Sequence, residues 1–147
     1  FRDARIADAL SPASSWQTNA LAVYFDLVPA EDAARALRHV IERYDESCRC
    51  SPYFHFFMLP AMRAAGMEAE ARDLIVREWR PMLEGKATST WEGFWGAESD
   101  SLCHPWSTAP FLFMMVRPDE KAVALAFPAS VWSLWGAGAR PMSRRRC

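Results

Sequence analysis

One carboxylate stands among indoles in the segment Thr88-Ser89-Thr90-Trp91-Glu92-Gly93-Phe94-Trp95, and one imidazole follows in Ser101-Leu102-Cys103-His104-Pro105-Trp106. Trp91, Phe94 and Trp95 form an apolar collar in sequence. Such a collar is expected to desolvate Glu92 and raise its pKa, the tuning that acid-base work near neutrality needs. Thr88, Ser89 and Thr90 supply hydroxyls that can hold the carboxylate. Taken alone, Glu92 reads equally as an exposed cap in a loop, and His104 as a structural imidazole. Polar groups, aromatics and helix breakers alternate through this stretch with no amphipathic period, which reads as a site more readily than as scaffold.

The elements that must position these groups are helical. Residues 17–27 (QTNALAVYFDL) are rich in helix formers. Val28-Pro29-Ala30-Glu31-Asp32 then reads as a helix start, with Pro in the first turn and acids complementing the helix dipole. From it runs AEDAARALRHVIERY, whose Ala33, Leu37, Val40, Ile41 and Tyr44 recur at spacings of three and four. Pro52 opens YFHFFMLPAMRAAG, apolar nearly all round, in which Pro60 predicts a kink or an early break and Gly66 a C-terminal cap. Residues 68–84 form a fourth helix with Ala71, Leu74, Ile75, Glu78 and Trp79 on neighbouring turns, stopped by Gly85. Two successive hairpins, 17–44 and 53–84, each pair a strongly apolar helix with an amphipathic one, as an inner and an outer layer require. No strand alternation of useful length appears in residues 1–117. The fold class expected is all-α, built of paired antiparallel helices.

Composition narrows the partners. The chain has 147 residues, 17 basic and 18 acidic, enough for one domain and one core but with no basic field for nucleic acid or an anionic membrane. No run of about 18 apolar residues is present, so no membrane-spanning helix is expected. The start Phe1-Arg2-Asp3 lacks an initiating Met and a basic-then-apolar leader, which reads as a trimmed or internal piece with a slight lean to the cytoplasm. Cys48, Cys50, Cys103 and Cys147 lack the paired spacing of a zinc site, so free thiols are expected and no metal or cofactor. The seven Trp could fill a core or stack a planar or sugar-like ligand. Trp16 and Trp79, in helical contexts, read as packing.

In their order, SxQTNALAVYFDLVP, SPYFHFFML, WRPMLEGKATSTWEGFW and SLCHPWSTAP resemble the C-terminal helices of the catalytic domain of α-L-rhamnosidases, glycoside hydrolase family 78, over about residues 14–115. The resemblance implies a six-hairpin (α/α)6 barrel, of which this chain would hold a part, and an inverting hydrolase that releases terminal α-L-rhamnose from glycosides or polysaccharides. It carries Glu92 over as the general base that activates water, and His104 as a contact to a sugar hydroxyl. Trp95 and Trp106 would then wall the pocket against the C6 methyl and ring face of a deoxyhexose. Two other readings stand beside this one: a helical-repeat interaction module without catalysis, and another six-hairpin glycosidase with a different sugar.

Inversion also needs a second carboxyl, a general acid roughly 6.5–9.5 Å from the base. In the family it lies upstream, on hairpins this chain does not contain. Asp26, Glu78, Glu98 and Asp100 read as surface or helix-end charges, so the isolated fragment is expected to be inactive and to depend on the missing remainder of the catalytic domain. Without that remainder its inner-ring aromatics would be exposed, favouring self-association or misfolding. Residues 118–147 depart from the family pattern, with five basic and two acidic residues and an Arg144-Arg145-Arg146 end. A displaced reading frame, a truncated gene or disorder would account for that tail; a basic docking tail is the alternative.

Overall fold

A computed structural model describes residues 1–44, 47–94 and 101–115. The chain divides into Phe1–Arg117 and Pro118–Cys147. The tail reading falls on the second part, outside the described residues.

Five α-helices carry the described fold: α1 (Trp16–Tyr24), α2 (Ala30–Glu42), α3 (His55–Ala64), α4 (Glu68–Glu84) and α5 (Ala109–Met115). The described residues are all-α apart from a two-residue antiparallel ladder between β1 (Arg5–Ile6) and β2 (Ala9–Leu10). That ladder was not expected. It is too short to show alternation, and its turn depends on Ala7 taking a left-handed φ of 52°.

Three of the helices, α1, α3 and α4, end for a local reason. Ser15 caps α1, its hydroxyl accepting from the Thr18 N–H at 3.2 Å. At the far end of α1, Leu27 N donates to Ala22 O and Asp26 N to Val23 O, with Asp26 at φ 54°. The same paired closure ends α3, where Met67 N reaches Met62 O, Gly66 N reaches Arg63 O, and Gly66 sits at φ 72°. It ends α4 as well, through Ala87 N to Met82 O and Lys86 N to Leu83 O. These are Schellman closures, which satisfy carbonyls the helix cannot. Gly66 therefore caps α3 as expected. Gly85 does not supply the left-handed turn after α4: Lys86 does, at φ 51°. The space that Gly85 leaves is filled instead by Trp91, whose Cζ2 and Cη2 would lie 3.3 and 3.1 Å from any Cβ added there.

Pro60 lies inside α3, which runs through it without a break. A proline in a helix interior costs about 3 kcal/mol. Met58, Leu59, Ala61 and Met62 around it are all fully buried, and burying such side chains is worth about 1.5–3 kcal/mol each, so packing outweighs the lost hydrogen bond.

The core follows the expected alternation. Helices α1 and α3 pack on each other, while α2 joins α1, and α4 and α5 join α3. Trp16, Ala20, Val23, Leu37, Val40, Met58, Leu59, Met62, Ala71 and Leu74 form one buried cluster. Trp16 is fully buried and donates its indole N–H to Val40 O at 2.9 Å, pinning α1 to α2.

Candidate functional site

The segment that carries Glu92 leaves the end of α4, and the segment that carries His104 leads through a single 3-10 turn (Pro105–Ser107) into α5. The two arms pair. His104 N donates to Thr90 O at 2.7 Å, and the Thr90 hydroxyl returns a bond to His104 O at 2.6 Å, so these residues face each other across the arms. Further along, Glu92 N donates to Ser101 O at 2.9 Å, and Ser101 N donates to Glu92 Oε2 at 3.2 Å. Glu92 and His104 thus stand on facing arms, Glu92 two residues beyond Thr90, which faces His104.

The surroundings of Glu92 differ from the expected collar. Glu92 is exposed. Trp91 turns back onto Gly85, and Phe94 turns inward, its ring 4.9 Å from that of Trp79 and 5.5 Å from that of His55. The flanking rings are drawn to apolar partners, each gaining more by burial there than by covering a charge. The hydroxyls differ too: Ser89 reaches Cys103 Sγ at 3.7 Å and Thr90 reaches His104 O, so neither holds the carboxylate. Trp95, Glu98 and Asp100 lie outside the described residues. Trp106 is 57% exposed and stands edge-on to the half-buried His104, the ring centroids 4.6 Å apart. Two open depressions lie elsewhere, one lined by Val28, Pro29, Asp32 and His39 and the other by Asp73, Val76, Arg77 and Arg80.

Beneath the arms lies a second polar cluster that sequence reasoning read differently. Glu78 is buried and not a surface charge. Its carboxylate is 3.1 Å from Arg77 Nε and 3.5 Å from Arg49 Nη1, and it accepts from the Tyr44 hydroxyl at 3.3 Å. Both guanidinium groups lie against the Tyr44 ring, at 4.2 and 4.3 Å from its centre. Burial, and then the Glu78 charge, raise the Tyr44 hydroxyl above its ordinary 10. A carboxylate so fully engaged links Tyr44 and Arg49 to α4. Glu78 shares a helix face with the buried Ala71 and Leu74, which was the available signal that it points inward. Asp26, the other described candidate, is exposed at the end of α1.

His55 is buried as well. Its Nδ1 lies 2.9 Å from Ser51 O, and since a carbonyl only accepts, the neutral ring carries its proton there. Trp16, Trp79 and Phe94 stand edge-on around it. Burial brings its pKa down to about 4; the Ser51 bond opposes this, and the Arg77 charge adds to it. Burial likewise pushes the neighbouring Cys50 thiol up, so the pair is neutral and unreactive at neutral pH. The signal was an imidazole flanked by Phe54, Phe56 and Phe57 in a segment read as buried.

Cys48, Cys50 and Cys103 are free thiols, and Cys147 lies outside the described residues. Among the described residues no cluster of three His, Cys, Asp or Glu is placed to hold a metal, and no helix is long and apolar enough to cross a membrane. No protein-family model, curated protein or solved structure matches the chain.

Proposed function

We propose that this chain is part of an inverting glycoside hydrolase of the α-L-rhamnosidase type, its helices a portion of an (α/α)6 barrel and its ligand a terminal rhamnoside. The observation that carries the reading is the pairing of the 90–92 arm with the 101–104 arm, which sets a carboxylate and an imidazole on one hairpin. In this reading Glu92, with one oxygen oriented by the Ser101 N–H, takes the proton of an attacking water through its exposed carboxylate. His104 contacts a sugar hydroxyl. Trp106, exposed and edge-on to His104, offers its face to the sugar ring.

The general acid comes from hairpins outside this chain, and those hairpins would also supply the desolvation that Glu92 lacks here. Exposed Phe25, Leu27, Tyr53, Leu83, Phe111 and Met115 support an apolar surface awaiting them. The same exposure of Glu92 favours the rival reading, a helical interaction module without catalysis.

The test is a panel of aryl glycosides offered to a version carrying the complete barrel. Release from the rhamnoside, lost by about two or more orders of magnitude in Glu92→Gln with unchanged folding, supports the proposal. Release from another glycoside moves the sugar, and wild-type turnover by the Gln variant removes Glu92 from the chemistry.

A further inference from the structure

Both arms of the hairpin are anchored on one side chain. Trp79, buried on α4, receives the Phe94 ring of the first arm edge-on at 4.9 Å, and donates its indole N–H to Ser107 O of the second arm at 3.2 Å. His55 stands behind it on α3, 5.0 Å from the Trp79 ring and 5.5 Å from Phe94, so three rings meet pairwise edge to face at 81–89°. Phe94 lies two residues beyond Glu92, and Ser107 three beyond His104. Trp79 therefore grips each arm just outside the group that the arm presents.

We propose that Trp79, backed by His55, is the positioning residue that fixes the register of the Glu92 and His104 arms. This role rests on the reading that Glu92 and His104 act together. A two-stranded hairpin is marginal in water by itself. Between these arms run two backbone hydrogen bonds, from Glu92 N and His104 N, with the Thr90 hydroxyl and Ser101 N–H bonds beside them. Glu92 is exposed, so burial does not fix it; the backbone that carries it does, and that backbone is tied down at Phe94. Trp79 supplies two contacts of different chemistry, an aromatic edge and an N–H donor, and each is removable without the other.

Amide hydrogen exchange on the full chain reads the two arms separately. Trp79→Phe keeps a ring against Phe94 but deletes the indole donor. It is expected to speed exchange at the His104 amide about tenfold or more, with the α2 amides of Leu37 and Val40 unchanged. Phe94→Leu is expected to do the same at the Glu92 amide, and Phe94→Tyr, which keeps the ring, to restore protection. Arm-selective loss with rescue supports the positioning role. Unchanged protection at Glu92 and His104, or equal loss through α1–α4, overturns it, and because Phe94 is only half-buried its variants decide the matter even where Trp79→Phe does not fold. Exchange involves no sugar. A version carrying the complete barrel that hydrolyses no glycoside of the panel therefore removes the enzymatic reading and leaves the positioning role to be decided by exchange alone.

Discussion

The layer of α1 to α4 and the paired arms at 87–94 and 101–107 hold their aromatic residues by different forces. Trp16 is fully buried between α1 and α2, its N–H on Val40 O, while Trp106, in the 3-10 turn, is more than half exposed and touches His104 by an edge. In the helical layer, side-chain burial defines position, and the backbone is satisfied within each helix. In the arms, backbone hydrogen bonds define position, and Glu92 and Trp106 are left exposed. The difference teaches that this site is held from below, by the helices it sits on, with little core of its own.

The largest expected effect comes from making one substitution in both regions. Trp16→Ala empties a fully buried site and should cost about 3–5 kcal/mol of unfolding free energy. Trp106→Ala removes an exposed ring and should stay within about 0.5 kcal/mol. Denaturant midpoints of the two variants measure the contrast. Equal losses would mean that Trp106 is packed as a core residue, and the comparison would fall.

A pH titration of stability comes next in size. Folded His55 takes up a proton only near pH 4, whereas in the unfolded chain it does so at its ordinary 6.5. Between those values the unfolded state binds more protons, so stability is complete above about pH 6.5 and declines as the pH falls toward 4. A depression of this size is worth about 3 kcal/mol in all, with about 2 kcal/mol lost by pH 5. The groups facing His55 are the Cys50 thiol, Ser51 O and the rings of Trp16, Trp79 and Phe94, with Arg77 adding positive charge nearby. Unfolding free energy followed from pH 7 to pH 5 should fall in the wild type and fall less in His55→Phe. Identical slopes would show that His55 is protonated with equal ease in both states.

The helical layer was legible in the sequence and the arms were not, for reasons visible in particular residues. Leu37, Val40, Ala71 and Leu74 recur at helical spacing, and a period is a one-dimensional signal that survives folding. Residues 68–84 were bounded to the residue. The early break that Pro60 suggests is absent, because its local cost is legible while the burial of Leu59 and Met62 that outweighs it is tertiary. Gly85 stops α4 as its position suggests, but the room it makes for Trp91 was not legible, because that contact is made only in the folded chain. The collar around Glu92 failed because adjacency in sequence does not fix where a ring turns. Trp91 and Phe94 had better partners, Trp91 at Gly85 six residues back and Phe94 at the His55–Trp79 pair, which is remote in sequence. The hairpin itself left no pattern, since its bonds are made by backbone groups that every residue carries.

The smallest expected effect bears on that last point. Ser107 is fully buried and its hydroxyl has no hydrogen-bond partner, whereas its carbonyl accepts the Trp79 indole N–H. If the arms are held through their backbone, the side chain at this position is dispensable and the carbonyl is not. Removing a buried hydroxyl that makes no bond relieves a desolvation cost and loses only a little packing. Ser107→Ala should therefore change the unfolding free energy by less than about 0.5 kcal/mol, with a gain as acceptable as a loss. The amides of Glu92 and His104 should keep their protection, because the Trp79 bond to the carbonyl survives. A loss above about 1 kcal/mol would give the hydroxyl a partner of its own, and the second arm would then be held by a side chain as the helices are.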